Sequence, residues 1–256
     1  MPQSEQATRF AQLHQPGHPV SLYNVWDAGS ARALAGAGAQ AIATSSWAVA
    51  AAQGYRDGED LPIDRLLDVA GRIAASVDLP VSVDFEGGYA EGEDELARNV
   101  TRLLALGAIG INFEDRVVQG QGLYSVDQQA RRIGALRRAA EKHGTLLFIN
   151  ARTDLFLGQT GDPALSIDAA LERARAYANA GASGFFVPGL IDEVLIARIC
   201  AGSPLPVNVM MMAGARSPDR LAELGVARIS YGATPYIEAM KALEQQAIAT
   251  TASFLR

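Results

Sequence analysis

The segments VSVDFEGG (81–88), GINFEDR (110–116) and LLFINARTD (146–154) decide the fold. Each is a short apolar run, rich in β-branched and aromatic residues, that ends on charged side chains. A run of that length and composition reads as a strand, and a strand buried on both faces is apolar until it leaves the sheet. Working outward, five similar runs appear at 19–27, 41–47, 184–189, 206–212 and 227–232. Longer Ala/Leu/Arg segments of helical period lie between the runs, at about 28–38, 62–77, 93–107, 127–143, 166–181, 192–201, 217–225 and 234–253, and a further helix at about 4–14 precedes the first strand. Gly107, Gly144, Gly181 and Gly225 stand where helices close, and Asp64, Asp127, Asp168 and Ser217 stand near helix starts. Eight β-then-α units predict a (β/α)₈ barrel of TIM type. The rival, a doubly wound open sheet, calls for a Gly-rich turn after its first strand, and WDAGSARALAG does not supply the G-x-G-x-x-G pattern. With no linker or break in composition, residues 1–256 are expected to form a single barrel domain with a short N-terminal helix.

Composition narrows the chemistry. The 256 residues are 49% hydrophobic and carry a formal net charge of −6. No Lys/Arg cluster suggests a nucleic-acid partner, and no apolar stretch reaches a membrane span. One cysteine, Cys200, and no basic-then-apolar start fit a reducing, cytoplasmic setting. Three histidines without ligand spacing exclude a His-rich zinc site. Cys200 and the run Met210, Met211 and Met212 read as packing, and Arg131, Arg132, Arg137 and Arg138 as a solvated helix face.

In a parallel barrel, the strand ends that run into βα loops carry the active site. There the sequence places Asp27, Ser45, Ser46, Asp84, Glu86, Glu114, Asp115, Asn150, Arg152 and Asp154, with Asn208 further inside strand seven. Asp84 and Glu86 are two apart, so they share a strand face, and Glu114 ends the neighbouring strand. Converging carboxylates repel unless a cation or arginine neutralises them. Mg²⁺, an oxygen-seeking ion that keeps several waters, is one solution; pairing with Arg116, Arg152 or loop backbone is the other. Arg152 suits bidentate carboxylate binding, or equally a partnership with Glu114 or Asp154. Ser45, Ser46 and Trp47 offer hydroxyls and N–H groups for an anion, or simply terminate a strand. Asn208 could contact substrate or satisfy backbone, and Asp57, in GYRDGED, reads locally as turn chemistry.

The ordered set LYNVWDAGSARALAGAGAQAIATSSWAVA, GYRDGED, VSVDFEGGY, GINFEDR, FINARTD and VARISYG resembles the isocitrate lyase/phosphoenolpyruvate mutase superfamily over about residues 20–245. The resemblance implies an (α/β)₈ barrel that uses Mg²⁺, or Mn²⁺, to stabilise enolate-like states of small 2-oxo acids while C–C or P–C bonds are made or broken. It implies metal-site carboxylates at Asp57, Asp84, Glu86 and Glu114, with Glu86 standing where a second aspartate is usual and so reaching the metal through water. It implies carboxylate binding at Ser45, Ser46 and Trp47, a substrate arginine at Arg152 and a polar substrate contact at Asn208. Lyases of the family carry Lys-(Lys/Arg)-Cys-Gly-His in the loop after strand four; this chain has DRVVQGQGLYS (115–125). Isocitrate and methylisocitrate lyase activity are therefore not expected. The favoured expectation is a Mg²⁺-dependent lyase of a small 2-oxo dicarboxylate, of oxaloacetate decarboxylase type, with Arg152, Glu114 and Asp57 as catalytic candidates. Hydrolytic C–C or P–C cleavage, or a 2-oxo acid binding protein with little turnover, are the alternatives. The terminal helix, with Ile237, Met240, Leu243 and Ala247 on one stripe, predicts a homodimer or higher homo-oligomer, the stripe covering this subunit's barrel or a neighbour's.

Overall fold

The computed structural model describes residues 1–158 and 161–254. Among the described residues, nine strands form one fully parallel sheet: β1 Val20–Leu22, β2 Asn24–Val25, β3 Ile42–Thr44, β4 Val81–Asp84, β5 Gly110–Glu114, β6 Phe148–Arg152, β7 Gly184–Phe186, β8 Val207–Met210 and β9 Arg228–Ser230. Their order is β1-β9-β8-β7-β6-β5-β4-β3-β2. The first predicted strand is broken at Tyr23: β1 pairs with β9 and β2 with β3, so the two pieces close an eight-stave barrel. Asn24 bridges the break, its Oδ1 accepting from the Tyr231 N–H at 2.8 Å and its Nδ2 donating to the Thr44 carbonyl at 2.8 Å.

Helices α1 Gln3–Gln12, α2 Ala28–Gly36, α3 Ser46–Ala52, α4 Ile63–Ser76, α5 Glu93–Ala105, α6 Val126–His143, α7 Ile167–Asn179, α8 Glu193–Gly202, α9 Pro218–Glu223 and α10 Thr234–Phe254 accompany the sheet. Helix α3 was not anticipated. Its run SWAVAAA follows Ser45, whose side chain accepts from the Ala48 N–H and caps the helix, so Ser46 and Trp47 belong to a helix start rather than a strand end. Gly144 closes α6 at φ 82°, and Gly107, Gly181 and Gly225 share that left-handed backbone. Of the four expected helix-start acceptors, Ser217 caps α9 directly. Asp64, Asp127 and Asp168 instead lie in the first turns of α4, α6 and α7, where a negative charge favours the helix dipole.

Two of the four α6 arginines correct the expectation of a solvated face, while Arg131 and Arg138 are exposed as expected. Arg132 is buried and donates to the carbonyls of Gly87, Ala90 and Glu91, while Arg137 donates to the Gly181 carbonyl. Arg138 alone of the group forms a surface pair, with Glu93. The terminal stripe does not cover its own barrel: Ile237, Met240 and Leu243 are 36%, 37% and 64% exposed. No helix among the described residues is long and apolar enough to cross a membrane.

Helix α1 packs against the sheet through a second small core of Ala7, Phe10, Phe148 and their neighbours. His14 stacks on Phe148 at 4.1 Å and its Nδ1–H donates to the Phe10 carbonyl at 2.8 Å, leaving Nε2 buried without a partner. Burial first, and the nearby Arg228 charge second, lower its pKa to about 3. Below about 6.5 the unfolded chain binds a proton that the folded chain refuses until about 3, so this contribution to stability is lost as pH falls through that window. His14→Phe removes it. Urea unfolding at pH 7 and 4.5 should show a pH-dependent loss smaller by about 2 to 3 kcal/mol in the variant. Equal losses in both proteins would mean that His14 takes up its proton normally.

Candidate active site

The charged strand ends meet at one mouth of the barrel. Ladder register sets Glu114, at the end of β5, opposite Arg152, at the end of β6. Arg152 Nη1 lies 3.0 Å from Glu114 Oε2, and its Nε and Nη2 donate to the two oxygens of Asp154 at 2.6 and 2.9 Å. Both partnerships weighed for Arg152 in the sequence are therefore present. Two of its five N–H groups are hydrogen-bonded to Asp154 and Glu114 is held as an ion pair, so donors remain on the fork for a ligand. Burial drives the Glu114 carboxyl above the ordinary range, with the Arg152 charge opposing and Asp154 and Asp84 adding to the rise.

Behind Arg152 lies a layer that the sequence reading missed. Asp115, fully buried, accepts from the Asp154 N–H at 3.0 Å and the Tyr177 hydroxyl at 2.9 Å, and pairs with Arg173 at 3.0 Å. Asp115 is thus a support for Asp154, which in turn holds Arg152. Arg173 and Tyr177 sit four apart on α7, so they share a helix face. That spacing was the available signal, hidden because an arginine on a helix is usually solvated.

Ser46 ties the other side together. Its N–H donates to Asp84 Oδ2 at 3.0 Å and its hydroxyl to Asp57 Oδ1 at 3.1 Å. The loop aspartate thus stands beside the strand aspartate, through a bond its turn-like context did not foretell. Desolvation, then the Asp84 charge, raise the Asp57 carboxyl. Glu86 follows β4 and rises to about 8, through burial first and the charges of Asp57 and Asp84 next. Its oxygens accept from the N–H groups of Gly58 and Glu59 and from the Tyr89 hydroxyl. Ser45 is spent on capping α3, and Trp47 packs edgewise on Tyr236. Asp27 likewise caps α2, in a reciprocal pair with Ser30. Asn208 is buried in the barrel, Oδ1 accepting from Ser230 and Nδ2 unpartnered. Also missed was Arg228, 1% exposed, which reaches Asn112 Oδ1 at 3.2 Å. Burial lowers its pKa to about 10, and the Asp84 charge opposes that. A lone arginine inside the apolar run VARISYG was its signal.

The expected metal can be tested against this donor set. No three His, Cys, Asp or Glu side chains among the described residues converge closely enough to bind one ion together. Asp84 Oδ1, however, is buried without a hydrogen-bond partner, and Asp57, Glu86 and Glu114 lie near enough for the Asp84 charge to raise their carboxyls. That set fits a hydrated Mg²⁺, which takes few direct carboxylates and keeps waters for the rest. Asp84 would hold it directly, with Asp57 and Glu114 acting through water, while the Glu86 oxygens are taken by Gly58, Glu59 and Tyr89.

A closed parallel barrel with carboxylates, a half-committed arginine and a serine at one mouth has the layout of a barrel enzyme for small anionic substrates. The chain belongs to the phosphoenolpyruvate mutase family: the family model described as phosphoenolpyruvate phosphomutase matches residues 10–251. A solved structure of a Burkholderia cenocepacia J2315 protein is 50% identical and superposes with a TM-score of 0.92, covering 95% of this chain and 99% of that one. The Mycobacterium tuberculosis protein Rv1998c is 36% identical over 228 residues, 89% of this chain and 83% of its own. An oxaloacetate decarboxylase of Bradyrhizobium sp. is 30% identical over 169 residues, 64% of this chain and 54% of that protein. Members of the superfamily are lyases or mutases of small carboxylates, and they generally use Mg²⁺.

Proposed function

We propose that the chain is a Mg²⁺-dependent carbon–carbon lyase that decarboxylates a small 2-oxo dicarboxylate of the oxaloacetate type. The observation that carries this reading is the segment 115–125. Asp115 is buried against Arg173. The remainder turns back on itself through an Arg116–Leu123 bridge and a Val117 N–H to Gly122 carbonyl bond. It contains no Cys, Lys or His to serve as an acid. Cleaving a 2-hydroxy tricarboxylate needs a base for the hydroxyl and an acid for the departing carbanion. Decarboxylation needs less: the bond from C3 to the distal carboxylate breaks, CO₂ leaves, and water returns a proton to C3. A divalent cation, when bound, supplies Lewis-acid stabilisation of the developing enolate oxygen. Arg152 contributes its uncommitted N–H groups to a substrate carboxylate, and its pairs with Glu114 and Asp154 fix the plane of the fork. The polarity of the mouth thus orients a dianion without a proton-transferring loop.

Incubation with Mg²⁺ and oxaloacetate should release pyruvate and CO₂ faster than Mg²⁺ alone. 2-Oxoglutarate, pyruvate and phosphonopyruvate should be inert. Oxalate plus acetate as products would make the enzyme a C–C hydrolase, turnover of phosphonopyruvate would place it with P–C chemistry, and tight binding without products would make it a binding protein.

A further inference from the structure

Among the described residues, three non-glycine residues have left-handed backbone: Glu59 at φ 59°, Glu86 at φ 49° and Tyr89 at φ 57°. Each such residue is disfavoured on its own and persists only where its surroundings over-determine it. Here the three over-determine one another. Glu86 Oε2 accepts from the Gly58 N–H at 3.0 Å and the Glu59 N–H at 2.8 Å, and Oε1 accepts from the Tyr89 hydroxyl at 3.1 Å. Glu59 Oε1 in turn accepts from the Tyr89 N–H at 2.8 Å. The turn after β4 is fixed from behind by Arg132, which donates to the Gly87 carbonyl, and by Asn99, which donates to the Gly88 carbonyl. Gly87 leaves no space for a side chain: a Cβ there would stand 2.9 Å from Val118 Cγ2 and 3.1 Å from Glu59 Oε1. The segment beginning at Asp57 is thus fastened to the strand end that carries Asp84.

We propose that Glu86 is a positioning residue, a latch that fastens segment 57–59 to the turn after β4 and so sets Asp57 against Ser46 and beside Asp84. Both carboxylate oxygens are committed to protein donors. The two methylenes of the glutamate side chain carry its carboxylate out to the loop amides. Of the four bonds that link segment 58–59, Glu86 and Tyr89 to one another, three are made by the Glu86 carboxylate, so removing that side chain releases the loop. The proposal rests on the lyase reading only in its use of Mg²⁺ with oxalate as the binding probe.

Two variants separate a latch from a charge. In Glu86→Gln the amide oxygen can accept from Gly58 and Glu59 while the amide NH₂ donates to the Tyr89 oxygen, so the latch survives and the charge goes. Glu86→Ala removes both, and Tyr89→Phe removes one latch bond. Hydrogen exchange across 57–61, measured without ligand, should accelerate about tenfold in Glu86→Ala and several-fold in Tyr89→Phe, as expected for lost hydrogen bonds. It should stay near wild type in Glu86→Gln. Calorimetric titration of Mg²⁺ with oxalate should weaken in Glu86→Ala and change by less than about fivefold in Glu86→Gln. Two results would overturn the latch: unchanged exchange in Glu86→Ala, or a loss of about tenfold or more in Mg²⁺ affinity in Glu86→Gln with exchange unchanged, which would move Glu86 to the cation. If Glu86→Ala does not fold, unchanged exchange in Tyr89→Phe overturns it equally. A wild-type protein that binds no Mg²⁺ with oxalate would count against the lyase reading, and the exchange comparison would still decide the latch.

Discussion

Asp84→Ala abolishes the stabilisation that Mg²⁺ and oxalate together confer, and leaves the barrel folded. In the wild type, ligand at about a hundred times its dissociation constant adds about 2.7 kcal/mol to stability, a shift easily read in thermal unfolding. Asp84 Oδ1 is the buried carboxylate oxygen at the mouth that no protein donor satisfies, so its removal takes away the direct oxygen ligand we assign to the cation. Two effects on the ligand-free protein oppose each other. The Ser46 N–H loses its acceptor, which costs about 1 to 3 kcal/mol for a buried donor. Against that, Asp57, Glu86 and Glu114 each lose a repulsive neighbour. Ligand-free unfolding should therefore move little in comparison with the ligand-linked shift. A variant that keeps the wild-type shift would place the cation elsewhere or nowhere.

Arg152→Lys weakens oxalate binding by about 1.5 to 3 kcal/mol, the scale of a charge-assisted hydrogen bond. Lysine keeps the charge but cannot hold Glu114, both oxygens of Asp154 and a ligand at once, because its donors radiate from one atom. Arg152→Met goes further, leaving two buried carboxylates without their cation, and should destabilise the fold by about 3 to 5 kcal/mol. Comparing the two by calorimetry and by unfolding separates binding from support. Unchanged oxalate affinity in Arg152→Lys would make Arg152 a structural clamp for Glu114 and Asp154 and nothing more.

The contrast between what could and could not be read from the sequence follows from where each charge sits along the chain. Asp84, Glu114 and Arg152 were legible because each ends an apolar run, and a charge there has few places to go except the barrel mouth. Asp57 was legible only through resemblance; its neighbours are turn-formers, and its partner Ser46 opens helix α3, eleven residues earlier. Helix α3 was obscured by AVAAA, a run that suits either state until Ser45 caps it. Arg132 and Arg173 were opaque for one shared reason. The helical period marks which residues share a face, but not whether the face is roofed by a neighbouring loop. The sequence places Asp115 at the mouth, and the structure moves it one layer back, because Arg173 arrives from a helix 58 residues away.

The divided first strand has a consequence for how the molecule folds. Every other neighbouring pair of staves is consecutive along the chain and brought together by one or two intervening helices. The seam instead joins the two extremes of the barrel, with Asn24 and Tyr231 in contact across 207 positions. Closing a free loop of that length costs roughly 5 kcal/mol in chain entropy, and the ladder available to offset it is three residue pairs between β1 and β9. The cost falls once the intervening staves are already ordered, because the effective loop is then short. Seam closure therefore belongs late in folding, and the last contacts to form hold Tyr231 beside Asn24 at the origin of α10. Completion of the barrel and placement of its terminal helix are in that sense a single kinetic event.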